Sequence, residues 1–159
     1  ELIACFLPGM NFVAAGILMM VIEGNEGKST GSIEPQKKPV MEMQTFFLMC
    51  GVLQSCSMQE LWRRGLPRVQ LRVFQFERLM QRHLPRLQGH LRTIGLTLDF
   101  FVSQWFLTLY AYSLPLHQIM PVWDEFFHHG WAALFQVGLA LMSIIQDRLL
   151  ELDMEEASM

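Results

Sequence analysis

Residues 99–131 read DFFVSQWFLTLYAYSLPLHQIMPVWDEFFHHGW, and the fold class turns on how this stretch divides. Asp99 opens it with a charge that suits the positive end of a helix dipole. Phe101, Trp105, Leu109 and Tyr112 follow at three- and four-residue intervals, with Val102, Phe106 and Leu107 widening the same arc. That spacing predicts a helix over 99–112. Pro115 can open the next helix, over 116–128, because the first turn of a helix needs no N–H from it. Pro121, deeper inside, should bend or split that helix. Gly130 reads as a stop or junction, and a last helix should run over 131–152, apolar at 131, 134, 135, 141, 142, 145, 149 and 152. Connections from Gly95 onward are short, so consecutive helices should pack as neighbours.

Working outward, no stretch alternates apolar and polar residues for the length of a strand, so the fold class is all-α. A helix over 10–22 should end at Glu23-Gly24-Asn25. Residues 24–40, GNEGKSTGSIEPQKKPV, hold almost no large apolar side chains and read as a flexible loop. A helix over 41–55 would bury Phe46, Phe47, Met49, Cys50 and Leu53. Gly65-Leu66-Pro67 marks a turn. A helix over 69–83 follows, with Val73, Phe76, Met80 and Leu84 in the core stripe and Arg68, Arg72, Arg78, Arg82 and Arg86 mostly away from it. A short helix over 85–94 should be closed by Gly95. One domain over 1–156 accounts for the chain, with 153–159 an acidic solvated tail. Glu1 opens inside an apolar run, which reads as a segment of a longer protein.

The composition, 52% apolar and 17% charged over 159 residues, supports a sizeable single core. The net charge of −3 conceals an asymmetry. Arg63, Arg64, Arg68, Arg72, Arg78, Arg82, Arg86 and Arg92 share their stretch with one acid, Glu77, whereas residues 147–156 hold five acids and one arginine. This balance argues against a nucleic-acid partner and leaves an acidic protein or a phospholipid surface as partners for the arginine belt. Solvation of that belt is the plainer reading.

Residues 2–22 carry no charge and are long enough to span a bilayer. Pro8-Gly9 splits the run, however, and the remainder suits a buried core helix better. Cys5, Cys50 and Cys56 form no CxxC pair and read as reduced thiols. The five histidines lack the spacing of a metal site, so no metal or cofactor is expected. Gly27-Lys28-Ser29-Thr30 lacks the upstream glycine and strand of a phosphate-binding loop. Asp124 and Glu125, a helical turn from His128 and His129, read as a solvent-facing edge, and the four tryptophans as core. The residues by themselves point to an α-helical interaction module with no enzyme active site.

Several segments together resemble the TBC domain of Rab GTPase-activating proteins. Pro8-Gly9-Met10-Asn11-Phe12-Val13-Ala14-Ala15 is similar to the family's YxQGMN segment and the helix after it. Gly65-Leu66-Pro67, Leu71-Arg72-Val73-Phe74 and the stretch from Leu79 to His83-Leu84-Pro85-Arg86-Leu87 resemble its middle region. Gln104-Trp105-Phe106-Leu107-Thr108-Leu109 with Ser113-Leu114-Pro115-Leu116 resembles the WFLTLF…LP block, and Val122-Trp123-Asp124-Glu125-Phe126-Phe127 with Gly130-Trp131 the RVWDxFFxEGW block. The order is the family's and the coverage nearly complete, so the resemblance implies the C-terminal part of a TBC domain.

That resemblance implies a regulator of Rab-type small GTPases in vesicle traffic, cytoplasmic and at the surface of endomembranes. In the family an arginine finger, from an IxxDxxR motif, and the glutamine of YxQ act on the bound GTPase. The arginine motif would lie upstream of Glu1. Pro8 stands at the glutamine position and Phe6 at the tyrosine position, and proline can neither donate nor accept through its side chain. The expectation is therefore a catalytically impaired chain with Phe6, Pro8, Gly9, Met10 and Asn11 facing the GTPase. Trp105, Pro115, Trp123, Asp124 and Gly130 would be structural, Asp124 through hydrogen bonds. Met120-Pro121 departs from the family's Leu-Arg. The alternatives are a non-catalytic binding module and a protein anchored in the membrane by residues 2–22.

Overall fold

The computed structural model describes residues 9–26 and 37–151. Nine helices and no strand occur among them: α1 Met10–Glu26, α2 Lys38–Ser55, α3 Met58–Leu61, α4 Pro67–His83, α5 Pro85–Thr93, α6 Asp99–Thr108, α7 Leu116–His129, α8 Trp131–Ile144 and α9 Gln146–Leu150. Phe6, Pro8, Cys5, the Gly27-Lys28-Ser29-Thr30 segment and the acidic tail lie outside the described residues.

α4 forms as its periodicity predicts. Val69, Val73, Phe76 and Met80 recur every three or four residues and are all 3% exposed or less. Pro67 and Pro85 sit in the first turns of α4 and α5. Gly95 closes α5 in a left-handed conformation (φ 73°). The Leu96 N–H then reaches back to the Leu91 carbonyl at 2.9 Å, satisfying an acceptor that the end of the helix would leave open.

Several expectations are corrected. α1 continues through Gly24 to Glu26, and α2 begins at Lys38, so both ends of the segment expected as loop are helical. Pro39, in the first turn of α2, gives up no hydrogen bond there. Asn25 helps to hold the end of α1, its Nδ2 donating to the Val21 carbonyl at 2.7 Å and to Gln44 Oε1 of α2 at 3.3 Å. α2 itself buries Met41 and Val52, while Phe46 and Phe47 are 63% and 64% exposed. Its apolar residues run nearly all round, and α2 packs mainly on α1 and α3, so only one side is covered.

α6 stops at Thr108, not at residue 112. Leu109 and Tyr110 turn into the left-handed region (φ 48° and 65°), which ends the helix. Tyr112, expected in the stripe, is exposed. The last predicted helix breaks at Ile145, and the bend lets Leu149 and Leu150 of α9 pack back on the core. Pro121, by contrast, does not split α7, which runs unbroken through it.

Sequential packing holds for α7 on α8, but α6 packs chiefly on α4 and α1. The 10–22 run is a core helix, with Val13 and Ile17 buried and Gly16 seated on Trp123. No described helix is long and apolar enough to cross a membrane.

Candidate GTPase-facing edge

The edge at Gly9, Met10 and Asn11 is positioned by the turn that ends α6. When α6 stops at Thr108, carbonyls of its last turn lose their helical partners. Two indoles supply replacements from distant parts of the chain. Trp62 Nε1–H donates to the Leu107 carbonyl at 3.1 Å, and Trp123 Nε1–H to the Leu109 carbonyl at 2.8 Å. The Thr108 hydroxyl donates to the Gln104 carbonyl at 2.8 Å. Tyr110 points the other way, its hydroxyl donating to the Leu134 carbonyl of α8 at 2.9 Å. Burial raises the Tyr110 phenol well above the ordinary tyrosine range, so it stays a neutral donor. Each such bond contributes about 0.5–1.5 kcal/mol, and removing a donor from a buried carbonyl costs about 1–3 kcal/mol.

Two glycines let other backbones approach this turn. Gly9 is buried with φ 104°, and a Cβ built on it would meet the Leu107 carbonyl oxygen at 2.7 Å. Gly138 of α8 leaves room for Tyr110, whose hydroxyl would lie 2.7 Å from a Cβ there, and for Phe76 at 2.8 Å. The Gly9 carbonyl accepts from the Phe12 and Val13 N–H groups, which starts α1 at a fixed place beside the turn. Beyond it Asn11 is exposed and Met10 half-buried. Phe12, 36% exposed, meets Tyr112 edge-on at 5.1 Å between ring centroids. Gly9, Met10, Asn11, Phe12 and Tyr112 thus make one partly apolar rim with an amide at its end.

Three of the four blocks that suggested a family converge on this turn: Gly9 from the first, Trp105 to Leu109 from the third and Trp123 from the fourth. Comparison with known proteins agrees. The Rab-GTPase-TBC domain family model matches residues 4–150. The chain belongs to the Rab-GTPase-TBC domain family. It is 31% identical over 151 residues to the GTPase-activating protein GYP5 of Saccharomyces cerevisiae, covering 95% of this chain and 15% of that protein. It is 32% identical over 150 residues to the Rab GTPase-activating protein tbc-11 of Caenorhabditis elegans, covering 94% and 14% respectively. To the GTPase activating protein Gyp51 of Schizosaccharomyces pombe it is 36% identical over 115 residues, 70% of this chain and 11% of the relative. The chain thus spans about a seventh of the length of the first two.

Among the TBC residues singled out as structural, Trp123 is buried and bonded to the turn. Trp105 is half-buried and stacks at a tilt against Tyr110, 5.4 Å between centroids. Pro115 caps α7, with the Gln118 and Ile119 N–H groups donating to its carbonyl. Gly130 serves both as C-cap of α7 and N-cap of α8. Asp124 is exposed; its carbonyl oxygen lies 2.7 Å from His128 Nδ1, and no bond of its carboxylate is seen among the described residues. Glu125 and His129 pair at 3.4 Å on the same exposed edge.

Sequence reasoning missed Trp62, Tyr110 and Gly138 as parts of the same assembly. Trp62 had been counted as core, but nothing in its local sequence signals a carbonyl 45 positions away. The arginine belt is mostly exposed. Arg72 is the exception: its guanidinium lies 4.4 Å from the Trp131 ring centroid, beside an open cleft of about 160 Å³ lined by Ser57, Glu60 and Arg68. Desolvation lowers its pKa, with Arg68 adding to the effect.

Proposed function

We propose that this chain is a small-GTPase-binding portion of a Rab-GAP-type regulator in vesicle traffic, unable on its own to accelerate GTP hydrolysis. The observation that carries the reading is the seating of Gly9 on the Leu107 carbonyl, which supports Met10 and Asn11 at the exposed start of α1. The resemblance puts the residue before that glycine in the role of orienting the attacking water. In this sequence that residue is Pro8.

Phosphoryl transfer leaves little covalent chemistry to the protein; catalysis is positioning and charge stabilisation. A glutamine can hold a water by accepting one hydrogen bond and donating another, and a proline side chain can do neither. The second contribution, an arginine finger, accounts for about 10³–10⁵ in rate, or roughly 4–7 kcal/mol of barrier. Residues 1–159 contain no IxxDxxR motif. With neither group supplied, binding remains and acceleration is lost. On this reading the chain is not itself an enzyme. It works in the cytoplasm beside endomembranes, and it holds its partner through the rim formed by Met10, Asn11, Phe12 and Tyr112.

Single-turnover GTP hydrolysis by a panel of Rab proteins, with and without the chain, tests the proposal. Binding of at least one Rab with an unchanged hydrolysis rate is expected. Asn11→Asp should weaken that binding about tenfold or more, since it replaces an amide donor with a charge at the rim. Acceleration of hydrolysis on any Rab by this chain alone would overturn the proposed inertness. Failure of every Rab to bind would overturn the partner.

A further inference from the structure

The inward side of α4 is accounted for by the core; its outward side is not. There Leu71 and Phe74 are 40% and 52% exposed, large apolar groups left open among the described residues. Between and around them stand Arg68, Arg78 and Arg82, all exposed, with Arg63 and Arg64 in the turn leading into the helix. The Arg78 guanidinium lies 5.2 Å from the Phe74 ring centroid, so one charge is held over one exposed aromatic face. The single acid of residues 63–92, Glu77, lies on the other flank, half-buried and lining a cleft with Gln88 and Arg92. Glu60 of α3 approaches Arg68 at 3.9 Å with both side chains half exposed, a weak and screened pair. Arg86 and Arg92 belong to α5, beside α9 and its Asp147, and are left out of this surface.

We infer that the outward face of α4 is a docking surface for anionic phospholipid membranes. Three features favour a lipid surface over an acidic protein. Every cation in the stretch is arginine, whose planar fork matches two phosphate oxygens and sheds water more readily than lysine. The charges are strung along a helix of 17 residues, about 25 Å long, instead of ringing one groove. Phe74 and Leu71 project from the same face as the charges, the pattern of a helix lying in the headgroup plane with apolar groups entering the acyl boundary. Each basic residue near such a surface contributes about fivefold in partitioning. Five together, Arg63, Arg64, Arg68, Arg78 and Arg82, can hold a domain whose overall charge is negative.

Cosedimentation of the whole chain with vesicles of phosphatidylcholine alone, or of phosphatidylcholine mixed with phosphatidylserine, tests this. The chain should pellet with the mixed vesicles, and rising salt should release it. Arg78→Glu with Arg82→Glu should lose tenfold or more, and Phe74→Ser several-fold. Thermal melting of these surface variants should match the parent. Equal pelleting with both vesicle types, or no loss in the charge-reversed variant, would overturn the inference. So would tight binding of polyglutamate that is unaffected by Phe74→Ser and exceeds binding to vesicles, because that pattern assigns the face to an acidic protein.

Discussion

The turn at residues 105–110 and the outward face of α2 are built from similar side chains and do opposite things. Trp105, Phe106, Leu107, Leu109 and Tyr110 sit at the junction of α1, α4, α7 and α8, and Phe106, Leu109 and Tyr110 are wholly buried. Val40, Met43, Phe46, Phe47 and Leu48 of α2 are each about half exposed or more. The difference is not hydrophobicity. At the turn the backbone leaves the helix, and the freed carbonyls find indole donors, so burial is made possible by satisfied polar atoms. On α2 the backbone is satisfied within the helix, and the bond from Asn25 to Gln44, long and exposed, does little to fix which side faces inward. Apolar content states how much surface can be buried, while the hydrogen-bonding needs of a broken helix decide where.

The sharpest way to break this comparison is Trp123→Phe. It removes the donor to the Leu109 carbonyl and shrinks the ring that fills the space beside Gly16. Urea unfolding should show a loss of about 2–4 kcal/mol. A loss below about 1 kcal/mol would mean that the indole bond does not matter to the turn.

Tyr110→Phe should cost less, about 1–2 kcal/mol at neutral pH, by removing the bond to the Leu134 carbonyl. It also has a signature in pH. The folded phenol is held neutral by burial, whereas the unfolded one ionises near the ordinary value of 10.0. The folded state therefore binds more protons above that pH. Tyr110's contribution is intact below the unfolded value and shrinks as pH rises past it, by about 1.4 kcal/mol per pH unit. The phenylalanine variant should lose this part of the alkaline slope. An unchanged slope would place the phenol in water.

Smallest of all should be the effect of Phe46→Gln combined with Phe47→Gln on α2. Stability should change by no more than about 0.5 kcal/mol per site, because both rings are already mostly hydrated. Aggregation at high concentration, followed by light scattering, should fall. A destabilisation of several kcal/mol would show that this face is packed after all.

What was legible follows from the same contrast. α4 and the Gly95 cap were readable because periodicity and a glycine past the last turn are local signals. Both the all-α class and the membership of the TBC family were readable, the latter because four blocks stand in order along one chain. Gly9, Met10 and Asn11 were named from the resemblance alone, and the contact of Phe12 with Tyr112 beside them was not legible, because α6 was expected to run to residue 112. That early end was invisible, since Leu109 and Tyr110 are neither glycine nor asparagine and carry no left-handed preference. The burial side of α2 was unreadable for the converse reason, an apolar sequence without a polar face. Of the bend or split expected at Pro121, the split does not occur: α7 continues as one helix through it despite the missing N–H.

One joint has a consequence for how the chain can vary. Gly130, at φ 63° and ψ −146°, lies where side-chain-bearing residues are excluded, and it alone separates α7 from α8. With a single residue between two helices there is no slack to absorb a change of length. Inserting one amino acid just after it would spin α8 about 100° around its axis. Leu134 and Met142 would swing out of the interior, and the Leu134 carbonyl would leave the Tyr110 hydroxyl behind. Length at this point should therefore be fixed even where composition is free to drift.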